Sequence, residues 1–289
     1  MDDFFNRPKT RVEWLLGNKC NYKCSYCNEM FHLGDKDFPP DDLVLEVCKD
    51  IIQHYDDLGR DVIFEFIGGE PTLIEKIPNI GERLHNYPTN LVIRTNGSAS
   101  LEWWSKVRRF LSSVVISVHK EFCDINHIKS VVELLQDEKD FHPINLQILF
   151  PVTNRADSWN WSLENLKYFR TKYELGELQL LYSNFGRGSN MFLPYSDYQW
   201  NEYIKLGGHH RPEPTNNLFR PQPSFTGKNC FAGVDILIID HKGHVKRSWC
   251  SNDDIIGNIY QMPIKWPTDP IVCKMPVCGN GFDQSARKE

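Results

Sequence analysis

The sequence predicts an α/β protein built on a parallel sheet. Six short runs rich in β-branched and aromatic residues, at 12–16, 62–67, 91–94, 114–118, 144–150 and 178–182, read as strands. Stretches with apolar residues three and four apart separate them. Each strand is thus followed by a helix that carries the chain back, which argues for parallel pairing with right-handed crossovers. Chemistry-bearing residues also cluster just beyond the ends of these strands, where α/β barrels keep their active sites.

In chain order, the first strand runs into a short loop holding Cys20, Cys24 and Cys27. The helix after it is the clearest in the chain: Asp41 or Asp42 can cap it, Leu43, Val44, Val47, Ile51, Tyr55 and Leu58 recur on one face, and Gly59 ends it. Cys48 falls on that face beside Val44 and Ile52 and reads as a small core residue. The second strand ends at Gly68, Gly69, Glu70, Pro71 and Thr72, and a helix is expected over 74–87. The third strand ends at Thr95, Asn96 and Gly97, with a helix over 102–111. The fourth carries Ser117, His119 and Lys120 at its end, with Cys123 just beyond and a helix over 128–138. A helix over 163–173 links the fifth strand to the sixth. Trp159, Trp161, Tyr182 and Phe185 would suit a dry cavity, or simply a core. The Phe185–Gly188 stretch with Arg187 could cradle an anion or be a plain glycine loop.

Composition narrows the function. At 289 residues and a formal net charge of −5, the chain can bury one large core, alone or with an appendage. The charge gives no electrostatic case for a nucleic-acid partner. No apolar run approaches the roughly 18 residues that span a bilayer, and the first residues carry no apolar signal core, which reads as a cytoplasmic protein with no membrane partner. Nine cysteines, clustered rather than spread in pairs, read as metal ligands in a reducing compartment. Three thiolates on one short loop can hold three irons of a cubic iron–sulfur cluster and leave the fourth iron open to a small chelating molecule.

The spacing of Cys20, Cys24 and Cys27, with Tyr26 just before the last, resembles the signature of the radical S-adenosylmethionine (SAM) enzymes. Gly68, Gly69, Glu70 and Pro71 resemble that family's G-G-E-P motif at the expected strand end. The resemblance implies a SAM-binding [4Fe-4S] cluster on the three cysteines and Tyr26 against the SAM adenine. It places the methionine amino group at Gly68 to Pro71, where paired glycines allow close backbone approach and Glu70 can add a compensating charge. Thr95 and Asn96 are similar to a T-N-G of relatives with a C-terminal cluster, although Asn-Gly is also a plain turn. Ser117 is similar to the serine that contacts the SAM ribose or carboxylate, or is an ordinary satisfied hydroxyl. The family's fold is a partial (β/α)6 TIM-like barrel, expected here over 8–206.

An irregular connection follows at 207–224, rich in Pro, Asn and Gly, in which His209 and His210 read as solvated or as ligands. Over 225–289 a hairpin is expected, with Cys230 before its first strand, a turn at His241, Lys242 and Gly243, and Cys250 after its second; Cys273 and Cys278 follow. This pattern is similar to a small twitch/SPASM-like cluster domain, which implies a second, auxiliary [4Fe-4S] cluster. A structural zinc held by the same four thiolates suits the residues as well. The resemblance implies reductive cleavage of SAM to a 5′-deoxyadenosyl radical. It also implies modification of a peptide or protein side chain by crosslinking, oxidation or epimerisation. A small polar substrate (an aminocyclitol, sugar or nucleotide derivative) is the alternative, and a non-catalytic iron–sulfur scaffold a third reading. The partners implied are an electron donor such as flavodoxin or ferredoxin and, since about ten residues precede the first strand, a separate leader-binding protein.

Overall fold

Strands β1 (Lys9–Leu15), β2 (Asp61–Ile67), β3 (Thr89–Thr95), β4 (Leu111–Ser117), β5 (Asn145–Val152) and β6 (Glu177–Leu180) pair in sequence order, every pair parallel. Helices α1 (Asp41–Asp57), α2 (Ile77–Leu84), α3 (Leu101–Val107), α4 (Ile125–Gln136) and α5 (Ala156–Tyr173) form the crossovers between them. This is the open (β/α)6 half-barrel that the alternating pattern predicts. The structure is a computed structural model and describes residues 7–137, 143–181, 192–208, 224–250, 255–276, 278 and 280–289. Tyr182, Phe185, Gly186, Arg187, Gly188, His209 and His210 lie outside the described residues.

Alternation along the strands sorts the side chains. Val12, Trp14, Phe64, Phe66, Ile93, Val114, Ile116, Ile148 and Phe150 join the helices in the main core. The α1 face contributes Val44, Val47, Cys48, Ile51 and Tyr55, all fully buried. Each such aliphatic side chain contributes about 1.5–3 kcal/mol by leaving water. The intervening residues, including Arg11, Glu13, Glu65 and Arg94, face the concave side.

Three expectations are corrected. The α1 cap is Pro40, which makes no side-chain cap bond; Asp41 and Asp42 sit inside the first turn, where their charge favours the helix dipole instead. Helix α5 begins at Ala156, so Trp159 is fully buried in the core rather than at a cavity mouth, and Trp161 packs edge-on to Phe150. A further helix, α6 (Asp197–Lys205), starts on a Ser196/Gln199 capping box that the sequence analysis passes over.

The C-terminal segment adds β7 (Asn229–Cys230), β8 (Ile236–Ile239), β9 (His244–Lys246), β10 (Ile255–Asn258) and β11 (Ile271–Val272). The expected hairpin forms as β8 and β9, but it is not set apart. β8 pairs in parallel with β1, and the sheet becomes nine-stranded in the order β10-β9-β8-β1-β2-β3-β4-β5-β6. Four apolar residues in a row, Ile236 to Ile239, are fully buried, as a strand covered on both faces requires. A polar lock at the base secures the junction. Asp235 accepts from Arg60 (2.8 Å) and from the Arg287 side chain (2.9 Å), and Thr10 donates to the Val234 carbonyl (2.7 Å). A second, smaller core gathers Cys230, Ala232, Ile236, Ile238, Cys273, Phe282 and Ala286. Among the described residues no helix is long and apolar enough to cross a membrane.

Candidate active site

The three N-terminal cysteines lie in a loop directly beyond β1, and the ends of β2, β3 and β4 close around it. The β2 end comes first. Gly69 N–H donates to the Gly17 carbonyl (3.1 Å) and Glu70 N–H to the Lys19 carbonyl (2.8 Å). A Cβ on Gly68 would sit 2.4 Å from the Gly17 oxygen, and one on Gly69 would sit 2.2 Å from the Lys19 oxygen. The paired glycines are therefore needed for the β1 and β2 loops to pack backbone to backbone.

Glu70 is 2 % exposed, and its carboxylate turns into the protein. It accepts from Thr72 N–H (3.0 Å), Thr72 Oγ1 (2.7 Å), Thr95 Oγ1 (2.7 Å) and Asn96 N–H (2.6 Å). Burial pushes its pKa upward, and these donors pull it back. The side chain ties the β2 end to the β3 end. Thr95 and Asn96 are thus brought to the cysteine loop, where Asn96 Nδ2 reaches Asn21 Oδ1 (2.9 Å) and approaches Cys20 Sγ (3.9 Å). Tyr22 N–H also donates to Cys20 Sγ (3.3 Å). Ser117 closes β4, half-buried at the same end of the sheet.

Beyond β4, Tyr26 O–H and His119 Nδ1 lie 2.7 Å apart with their rings stacked, while Ser25 N–H donates to Glu121 (2.7 Å). The sequence analysis leaves His119 open and passes over Glu121, because nothing local marks either as a partner of residues more than ninety positions earlier. Lys120 instead pairs with Asp157 across the mouth (2.6 Å). Burial pushes Cys123 up to about 11, as for an inert thiol, and Cys48 is fully buried in the core.

The donor set fits an iron–sulfur cluster. Cys20, Cys24 and Cys27 are within electrostatic reach of one another, and N–H groups already point at Cys20 sulfur. Without a metal the thiols stay protonated: burial, then Glu121 and the neighbouring cysteines, push Cys24 up to about 12. Loading must therefore release protons. A cavity of 540 Å³ lies behind the G-G-E-P turn, lined by Leu16, Phe38, Ile67, Gly69, Glu70 and Ile74 among others, on the side away from the cysteines.

The concave face below carries charge where barrels usually pack branched apolar residues. Glu65 pairs with Arg11 (2.7 Å) and with Arg94. Its register neighbour Glu13 accepts from Trp249 Nε1 (2.6 Å), and burial pushes it up to about 7. Trp249 belongs to the C-terminal segment and immediately precedes Cys250. There Cys230 and Cys273 share the small core, Cys250 feels both, and Cys278 feels Cys250. Asp283, 2 % exposed, accepts from Trp249 N–H and Cys250 N–H (2.9 Å each). No signal in the sequence singles it out. Among the described residues, no group of three or more His, Cys, Asp or Glu is arranged as for a single metal ion.

The site and the half-barrel define a SAM-dependent radical enzyme class, and the profile of the Radical SAM superfamily matches residues 14–174. The chain belongs to the Radical SAM superfamily. A probable GTP 3′,8-cyclase of Thermococcus kodakarensis is 27 % identical over 168 residues, which cover 55 % of this chain and 53 % of the cyclase. An S-adenosylmethionine-dependent nucleotide dehydratase of Siniperca chuatsi is 33 % identical over 114 residues, covering 37 % of this chain and 30 % of the dehydratase. The chain spans about half or less of the curated relatives it matches. Among solved structures, Streptococcus suis SuiB bound to precursor peptide SuiA superposes with a TM-score of 0.57 at 14 % identity, over 89 % of this chain and 63 % of SuiB. The enzyme anSMEcpe with bound AdoMet gives 0.55 at 18 % identity, over 88 % of this chain and 76 % of that one. Both likenesses concern the fold.

Proposed function

We propose that this chain reductively cleaves SAM and uses the resulting radical to modify a peptide or protein side chain. The observation that carries the radical chemistry is the convergence of three strand ends on the Cys20, Cys24 and Cys27 loop. When bound, the cluster passes an electron to SAM, and the 5′-deoxyadenosyl radical released takes a hydrogen atom from the substrate. The chain's own residues hold and shield. Cys20, Cys24 and Cys27 supply thiolates, and the Gly68 to Pro71 turn offers backbone to the SAM methionine. Glu70 keeps that turn joined to Thr95 and Asn96, while Tyr26 and Ser117 flank the nucleoside end. Cys230, Cys250, Cys273 and Cys278, drawn together around the small core, would hold an auxiliary [4Fe-4S] cluster, fully ligated and suited to take an electron from the substrate.

The peptide reading is supported by the fold likeness to SuiB, which extends through the C-terminal segment. A second reading, a nucleotide substrate, is favoured by the sequence similarity of the barrel to the cyclases and the dehydratase. Arg94, 42 % exposed on the concave face, suits an anionic group. A panel of candidate substrates deuterated at carbon separates the two. Transfer of deuterium into 5′-deoxyadenosine from peptides alone supports the first reading; transfer from nucleoside triphosphates alone replaces it with the second.

A further inference from the structure

The loop that carries the three cysteines has little structure of its own. Its one internal backbone turn is Cys27 N–H to the Cys24 carbonyl (3.0 Å). Ligands on such a loop keep their geometry only if something else orders it, because fixing each free residue costs about 1–2 kcal/mol of entropy. The structure shows what does so. Tyr22 stacks on Phe122, with centroids 5.4 Å apart and planes at 24°, and meets His119 edge-on at 6.2 Å. Ser25 gives both its N–H and its hydroxyl to the Glu121 carboxylate. Tyr26 shares a hydrogen bond with His119 Nδ1 and lies against its ring at 5.9 Å. Both residues between Cys24 and Cys27 are therefore gripped from one short stretch, and so is an aromatic between Cys20 and Cys24. The contacts also account for Phe122, which stays 45 % exposed.

We propose that His119, Glu121 and Phe122 form a clamp of positioning residues that presets the cysteine loop for its cluster from the far side of the barrel mouth. The clamp rests on the radical SAM reading and deepens it. β4 lies three strands from β1, so the grip spans the mouth over β2 and β3. The G-G-E turn holds the loop's entry at Gly17 and Lys19, and Asn96 with Ser98 holds Asn21 (2.9 Å each). The clamp holds the remainder. His119 suits the role because burial pushes it down to about 4, leaving a neutral ring that can accept the phenol proton. Glu121 adds a negative charge beside the Cys24 thiol, so it also bears on how readily a cluster there takes up an electron.

The test uses the full chain, reconstituted with iron and sulfide without oxygen. Iron loss to a ferrous chelator is followed, together with the electron paramagnetic resonance of the reduced protein and its midpoint potential. Tyr26→Phe and His119→Phe each remove one partner of the same bond and keep an aromatic ring. Each is expected to speed iron loss about five- to tenfold, in the range of one hydrogen bond. The double variant is expected to be no faster than the singles, since both remove one interaction. Glu121→Gln is expected to move the midpoint potential to a less negative value, which loss of packing alone does not do. Tyr26→Phe adds no bulk and so keeps the test valid if His119→Phe folds poorly. Glu102→Gln, on an exposed face of α3, is the control. Rates within twofold of wild type, a double variant equal to the product of the singles, or an unmoved potential would overturn the clamp. If wild type holds no more iron than a Cys20/Cys24/Cys27→Ala variant, the radical SAM reading itself fails, and the two failures are distinguishable.

Discussion

The two cysteine regions are built in opposite ways. Cys20, Cys24 and Cys27 lie within one short loop, and the ends of β2, β3 and β4 close on it through Gly69, Asn96, His119 and Glu121. Cys230, Cys250, Cys273 and Cys278 come from four separate pieces of chain, assembled by the short β7–β11 ladder, a small core and the buried carboxylate of Asp283. The first is a local motif in a rigid frame. The second is a long-range assembly with few ties. The first should therefore fail when the frame is disturbed, and the second when a single tie is cut.

Gly69→Ala should have the largest effect. Its Cβ would meet the Lys19 oxygen at 2.2 Å and the Phe31 oxygen at 2.8 Å, so the cysteine loop could not dock. We expect a loss of about 3 kcal/mol or more in urea unfolding and loss of first-site iron. Gly281→Ala in the C-terminal region, with nothing within 4 Å, should leave both unchanged. Glu70→Gln comes next, because an amide among four donors leaves buried groups unmatched; about 2–3 kcal/mol should be lost by the same measurement.

Asp283→Asn tests the other region. It withdraws one of the two acceptors from Trp249 and Cys250 and should cost about 1–2 kcal/mol. Iron analysis should show loss confined to the C-terminal set, with 5′-deoxyadenosine formation retained. Equal loss from both regions would erase the distinction.

The smallest expected effect concerns Glu13, which touches both regions. Its folded pKa of about 7 lies above the unfolded value of 4.5, so the folded chain binds the extra proton in between and stability falls as pH rises. Burial is the main cause, Glu65 adds to it, and Trp249, Arg94 and Arg11 oppose it. Between pH 6 and pH 8 wild type should lose about 1 kcal/mol relative to Glu13→Gln. Parallel pH profiles for the two proteins would show that the buried acid is not so perturbed.

How much was legible follows the same divide. The half-barrel, Cys48 in its core, and the placement of the cysteine loop and the G-G-E-P turn beyond β1 and β2 could be read from local spacing, since period and turn chemistry act over a few residues. The role of Glu70 as a tie could not, because its partners Thr95 and Asn96 lie on the next strand. His119, Glu121 and Asp283 act on residues far away in the chain and leave no local trace. The joining of β8 to β1 was hidden for the same reason: a hairpin pattern does not say which free edge it covers. Helix α6 was legible in principle, through Ser196 and Gln199, but its apolar period is weak beside that capping signal.

The most direct measurement compares 5′-deoxyadenosine formed from SAM and dithionite by the anaerobically reconstituted chain and by its Cys20/Cys24/Cys27→Ala variant. The account predicts formation by wild type and none above background by the variant, even where the variant keeps iron in its C-terminal region. Equal formation by both, or none by wild type with its full iron and a competent substrate present, would contradict it.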